Sequence, residues 1–159
     1  MTLVKGENSY VDVADADAYF LNRYGYDQWA GQTNEQKEAA LISAADYLDS
    51  LCNWYGSPVD PAQPMAFPRT PDADPTPAGI KTAQMEIAYG MVLSGSASDT
   101  GSTEDVLTKL KAGDVELEFK GDVNPTSSLT SDYTKSLLRP YGTCHFSGAK
   151  SRIVDVWRA

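Results

Sequence analysis

His145 is the one histidine in a chain of 159 residues, so a Ser-His-Asp or Cys-His mechanism would have to run through it. Its neighbour Cys144 falls on the opposite side of an extended segment, which parts thiol from imidazole. The other cysteine, Cys52, stands 92 positions away, and no C-x-x-C or Cys/His cluster accompanies either one. Both are therefore expected as reduced thiols, with no zinc site. Glu116 and Glu118 have the spacing of a hydrolytic carboxylate pair, but on an alternating strand they share a face and read as its wet side. Asp12, Asp15 and Asp17 crowd a helix start, where a cap and the positive helix end favour carboxylates; nothing nearby completes an oxygen cage for a cation. No G-x-x-x-x-G-K-[ST], G-x-G-x-x-G or H-E-x-x-H occurs. These residues predict a chain that is not an enzyme and carries no cofactor or metal.

Charge narrows the partners. Thirteen Lys and Arg against twenty-two Asp and Glu give a formal charge of −9, which repels a phosphate backbone unless the cations gather into one patch. Hydrophobic residues make up 42% and charged residues 22%, the balance of a globular domain, and no apolar run is long enough to span a membrane. The opening MTLVKGENSYVDV has no apolar stretch after Lys5, so no secretory signal is expected.

The elements that must position any site are mostly helices. Asp12 caps a helix over Ala14–Tyr24, stopped by Gly25. Thr33-x-x-Gln36 fits a capping box, and Ala40, Leu41, Ala44, Ala45, Leu48, Leu51 and Cys52 recur at helical steps. The other face of that helix carries Glu35, Lys37, Glu38, Asp46 and Asp49 and reads as solvated. A third helix begins at Thr76-Pro77 and ends near Ser94-Gly95. Ile80, Ala83, Ile87 and Met91 form one apolar stripe on it and Met85, Ala88 and Val92 another, so it should be central, with Gly90 at a close approach.

Between the second and third helices the proline-rich stretch from Tyr55 to Pro71 can be neither helix nor central strand. Met65 and Phe67 look like anchors that pin it to the core. After a small, polar linker, 94–103, come Val106–Leu110 and Val115–Phe119, the second alternating at period two, which predicts a hairpin. Two strands alone are marginal, so the edge carrying Val115, Leu117 and Phe119 is a candidate subunit-to-subunit contact. A short helix near Ser131–Leu138 ends at Arg139-Pro140. The tail closes with Arg152, Ile153, Val154, Asp155, Val156, Trp157 and Arg158. An apolar, β-prone terminus between two arginines predicts a docking arm. The whole is expected to be mainly α: a small bundle of about four helices with a β-hairpin near 105–120 in a domain over 1–142, followed by an extended arm over 143–159.

Tyr24, Tyr26, Trp29, Trp54 and Tyr55 could stack bases, but only Arg23 is near them in sequence, so core and loop anchoring is the expected role. The ordered set Gly6–Val11, Ala16–Phe20, Trp29, Lys37–Ile42, Tyr47–Asp49, Gln63-Pro64 and Phe67–Thr70 resembles a family of small tailed-bacteriophage proteins, the head-to-tail connectors or adaptors, many of which carry the label DnaT-like single-stranded-DNA-binding protein. The resemblance extends from residue 3 to Leu137–Tyr141. It implies a structural virion protein at the head-to-tail junction: a homo-oligomeric ring, commonly of twelve copies, between the portal protein and the tail proteins, through which double-stranded DNA passes. In that setting Arg152, Ile153, Val154, Val156, Trp157 and Arg158 would meet the portal, and an acidic lumen would not grip phosphates. The alternative is the literal label, a single-stranded-DNA-binding protein of a phage replication system.

Overall fold

The computed structural model describes residues 2–70, 75–95, 109–112, 115–118 and 129–145, the two short strands at 109–112 and 115–118 by their backbone. Helix α1 spans Val13–Leu21, and its start is a full capping box: Asp12 accepts the Asp15 N–H, and Asp15 accepts the Asp12 N–H. A one-turn helix, α2 (Asp27–Ala30), follows, an element not expected from the residue pattern. Helix α3 (Asn34–Leu51) opens with the reciprocal Thr33–Gln36 pair expected for it. Helix α4 (Ala78–Ser94) starts one residue later than expected, with Pro77 rather than Thr76 at the cap, and closes on Gly95 at φ +66, a left-handed residue that only glycine adopts cheaply. Helix α5 covers Asp132–Leu138, capped by Ser131.

Helix α4 is the centre, packing on α3 and α5 and meeting α2. Both of its apolar stripes find neighbours: Ile80, Ala83, Met85, Ile87, Ala88 and Met91 are buried. A Cβ at Gly90 would lie 3.4 Å from the Leu129 carbonyl oxygen, the close approach expected there. A mainly-α fold follows from the sequence pattern.

The strands come in pairs, all antiparallel. Strand β1 (Cys52–Trp54) continues straight out of α3 and pairs with β6 (Gly142–Cys144); β2 (Ser57–Pro58) pairs with β3 (Arg69–Thr70); β4 (Lys109–Ala112) pairs with β5 (Val115–Glu118). The first strand of the expected hairpin runs two residues further, to Ala112, while residues 106–108 and 119 of the expected hairpin lie outside the described residues. The β1–β6 register sets Cys52 opposite Cys144, and the two are joined by a disulfide. That overturns the expectation of two reduced thiols. Proximity in sequence was the wrong guide, because the pairing is made by a strand that leaves α3 and one that returns after α5. The same ladder draws Thr143 to His145 onto the helical body; His145 N–H donates to the Leu51 carbonyl at 2.9 Å.

The proline-rich stretch wraps as expected. Met65 and Phe67 are buried, and the Phe67 ring stands edge-on to Tyr10, Trp54 and Tyr141. Arg69 stitches it from inside. Its guanidinium donates to the carbonyls of Tyr55 and Gly56 at 2.8 Å each, of Ala66 at 3.2 Å and of Trp54 at 3.4 Å.

Candidate functional site

The residues expected to contact partners lie largely beyond the described ones: Arg152, Ile153, Val154, Val156, Trp157 and Arg158 of the arm, and Phe119 of the hairpin. Val115 and Leu117 sit on β5, opposite Ala112 and Leu110.

The five aromatics with stacking potential divide. Trp29 is 1% exposed and donates its indole N–H to Asp17 at 2.8 Å. Trp54 is half-buried and donates to the Asp49 carbonyl. Tyr26 is half-buried and donates its hydroxyl to Glu86 at 3.0 Å; burial first, then that bond to a carboxylate, pushes it up to about 12. These three are anchors. Tyr24 and Tyr55 are not: Tyr24 is fully exposed, and Tyr55 is more than half exposed.

Arg23 lines a cleft of about 350 Å³ between the end of α1, α2 and the first turn of α3. Phe20, Tyr26 and Trp29 supply its apolar floor, and Asp17, Asp27, Arg23 and Lys37 its polar groups. The aromatic floor is continuous. Phe20 packs against Tyr19, Tyr26, Trp29 and Tyr89 at centroid distances of 5.0, 4.7, 4.9 and 5.6 Å. Glu86 ties it down from α4 by accepting the Tyr19 hydroxyl at 2.6 Å as well as that of Tyr26.

The two cations differ in what they leave free. Lys37 is 8% exposed, its Nζ 2.9 Å from Asp17 Oδ1, the same oxygen that accepts the Trp29 indole. This corrects the solvated-face reading of α3, as does Asp49, which is half-buried and accepts the Tyr10 hydroxyl and the Ala66 N–H; Glu35 and Asp46 do face water. A signal for Lys37 was present, since it stands four residues before Leu41 on the very stripe that continues through Ala44, Ala45 and Leu48. Its partner on α1, twenty positions away, was not legible. Arg23, by contrast, is exposed, with its guanidinium 3.8 Å from the centroid of Tyr19. Tyr133 of α5 lies near the same ring: burial and the Glu86 bond chiefly raise the Tyr19 pKa, and Tyr133 adds to the rise. Arg23 and Tyr24, adjacent beyond the end of α1, thus present one cation and one fully exposed ring, and Tyr133 of α5 is half exposed.

The catalytic candidates are accounted for. With Cys144 in a disulfide it offers no thiol, and His145 Nε2 lies 3.2 Å from the Asn53 amide nitrogen. Among the described residues no group of His, Cys, Asp or Glu is placed to hold a metal, and no helix is long and apolar enough to cross a membrane.

No curated protein and no solved structure matches this chain. Residues 2–157 match the family described as "Putative DnaT-like ssDNA binding protein". The description agrees with the label carried by the family that the sequence resembles, and it bears on the single-stranded-DNA reading; it says nothing of a connector. With the match running nearly end to end, the chain belongs to that DnaT-like family.

Proposed function

We propose that DNA is the molecule this chain serves, and that it does so as a single-stranded-DNA-binding protein without catalytic activity. The family match over residues 2–157 is the observation that carries the reading. Arg23 and Tyr24 support it with the right chemistry: an exposed ring for an unstacked base, and a guanidinium that has no carboxylate partner among the described residues, for a phosphate. One such cation is a small electrostatic handle, so affinity should be modest. Fluorescence anisotropy with a labelled oligonucleotide at low salt tests this. The expected result is micromolar binding that weakens with salt, and weakens further in an Arg23→Gln, Tyr24→Ala double variant. No binding at low salt would overturn it.

A second reading is favoured by charge. At −9 the chain is poorly made for holding phosphates, and most described cations are already engaged: Lys5 with Asp15, Lys37 with Asp17, Lys135 with Asp132, Arg69 with backbone carbonyls. A subunit of a head-to-tail connector ring, lining a passage through which double-stranded DNA slides, needs that character. In this reading the arm from Arg152 to Arg158 meets the portal, and the hairpin edge at Val115, Leu117 and Phe119 supplies the head-to-tail contacts between copies that close a ring. Quantitative mass spectrometry of purified virus particles decides it: a ratio near one to the portal subunit supports a connector, and absence from particles removes it.

A further inference from the structure

We propose that the Cys52–Cys144 pair is a thiol–disulfide exchange site that fastens and releases the strip Thr143–His145. The argument starts from what holds that strip. Strand β6 has one neighbour, β1, and a pairing of three residues is marginal by itself. Thr143 and His145 are exposed, and their side-chain bonds, to the Tyr55 hydroxyl at 3.3 Å and to Asn53 at 3.2 Å, are to exposed groups. Beyond the ladder, a backbone bond from His145 N–H to the Leu51 carbonyl holds the strip, and the disulfide is its covalent link. The helical core does not depend on it, because Leu41, Leu48, Ile80, Ile87 and Leu138 are fully buried between α3, α4 and α5. Opening the pair should therefore free the strip locally and leave the bundle closed.

The two sulfurs differ in access. Cys52 is 7% exposed at the end of α3, whereas Cys144 is half-buried on a strand with a water-facing side. A dithiol reductant, small molecule or protein, would attack with one thiolate at Cys144 Sγ, breaking the Sγ–Sγ bond and expelling Cys52 as a thiolate that takes up a proton. Its second thiol then displaces Cys144 from the mixed disulfide. Two electrons and two protons pass to the chain, and the dithiol becomes a cyclic disulfide.

The test uses the full chain, oxidised, at neutral pH without denaturant. Excess dithiothreitol, an iodoacetamide quench and intact mass count the thiols, while hydrogen exchange is followed by peptide. The expected result is two alkylated cysteines, exchange at residues 142–145 about tenfold faster or more, and unchanged protection in α3 and α4. Removing the dithiol under air should restore the slow exchange. No labelling in native buffer would overturn the proposal, as would loss of protection across α3 and α4 together with the strip. A Cys52→Ser, Cys144→Ser double variant should fold and show the fast exchange permanently; failure to fold would make the bond a requirement of the core and likewise overturn it.

Discussion

Gln84, in the middle of α4, accepts the backbone N–H of Tyr10 at 3.0 Å and so couples the N-terminal segment to the central helix across 74 positions of sequence. Its amide nitrogen donates to the Leu41 carbonyl at 2.8 Å and to Ser9 Oγ at 2.7 Å, all inside the core. Gln84→Leu keeps the volume and deletes these bonds, stranding the buried Tyr10 N–H and taking a donor from the Leu41 carbonyl and from Ser9, whose hydroxyl keeps its bond to the Val11 carbonyl. The expected cost is about 2–4 kcal/mol in denaturant unfolding. A loss under about 0.5 kcal/mol would mean that the segment before α1 is held by packing alone.

Asp17 serves two donors, the Trp29 indole and the Lys37 ammonium, which makes removal of the acceptor and of one donor unequal. Asp17→Ala leaves a buried ammonium and a buried indole N–H without their acceptor. Lys37→Met keeps the stem against Trp29 and leaves Asp17 half in water. The aspartate variant should therefore lose more stability than the lysine variant, by about 1–3 kcal/mol. Equal losses would show that the ion pair, not the shared oxygen, is what matters.

Asp49 gives a pH dependence. Burial lifts its carboxyl above the ordinary value of 3.8, outweighing the lowering by the Tyr10 and Ala66 hydrogen bonds. A folded-state pKa above the unfolded one means that the folded chain holds this proton more tightly. Its contribution is fullest below 3.8 and is lost as pH rises through the folded value. Asp49→Asn cannot ionise, so from about pH 4 upward the wild type should lose stability relative to that variant, levelling off once the carboxyl is fully charged. Thermal melts of both proteins across pH 3–7 measure it, and a drift of opposite sign would place hydrogen bonding ahead of burial.

Gly142 is buried where β6 meets β1. A Cβ there would lie 2.7 Å from the Asn53 carbonyl oxygen and 3.1 Å from Trp54 Cα, atoms of the backbone that cannot swing aside. Gly142→Ala should push the strands apart, cost about 1–3 kcal/mol and speed exchange at the Tyr55 amide, which donates to the Tyr141 carbonyl at 2.8 Å. Unchanged exchange at Tyr55 would refute the steric account.

What the sequence made legible was local. The capping boxes at Asp12/Asp15 and Thr33/Gln36, the two stripes of α4 and the anchoring of Phe67 each follow from residues within a few turns of one another. The cleft was not legible in this way. Asp17, Arg23, Trp29 and Lys37 come from three elements, and a charged residue on an apolar stripe was read by its type rather than its position. The disulfide failed for the same reason on a longer scale, since only the return of the chain after α5 sets Cys144 beside Cys52.

Arg69 bonds only to main-chain oxygens, of Trp54, Tyr55, Gly56 and Ala66. A carbonyl is the same whatever side chain it carries, so this clamp recognises the path of the loop and is blind to the residues that follow it. The exposed residues from 57 to 62 can therefore drift in sequence while the loop keeps its shape, provided position 69 keeps a planar, forked donor; a lysine, with a point charge, cannot span the set. The part of the surface most open to change is thus held by the residue least open to it.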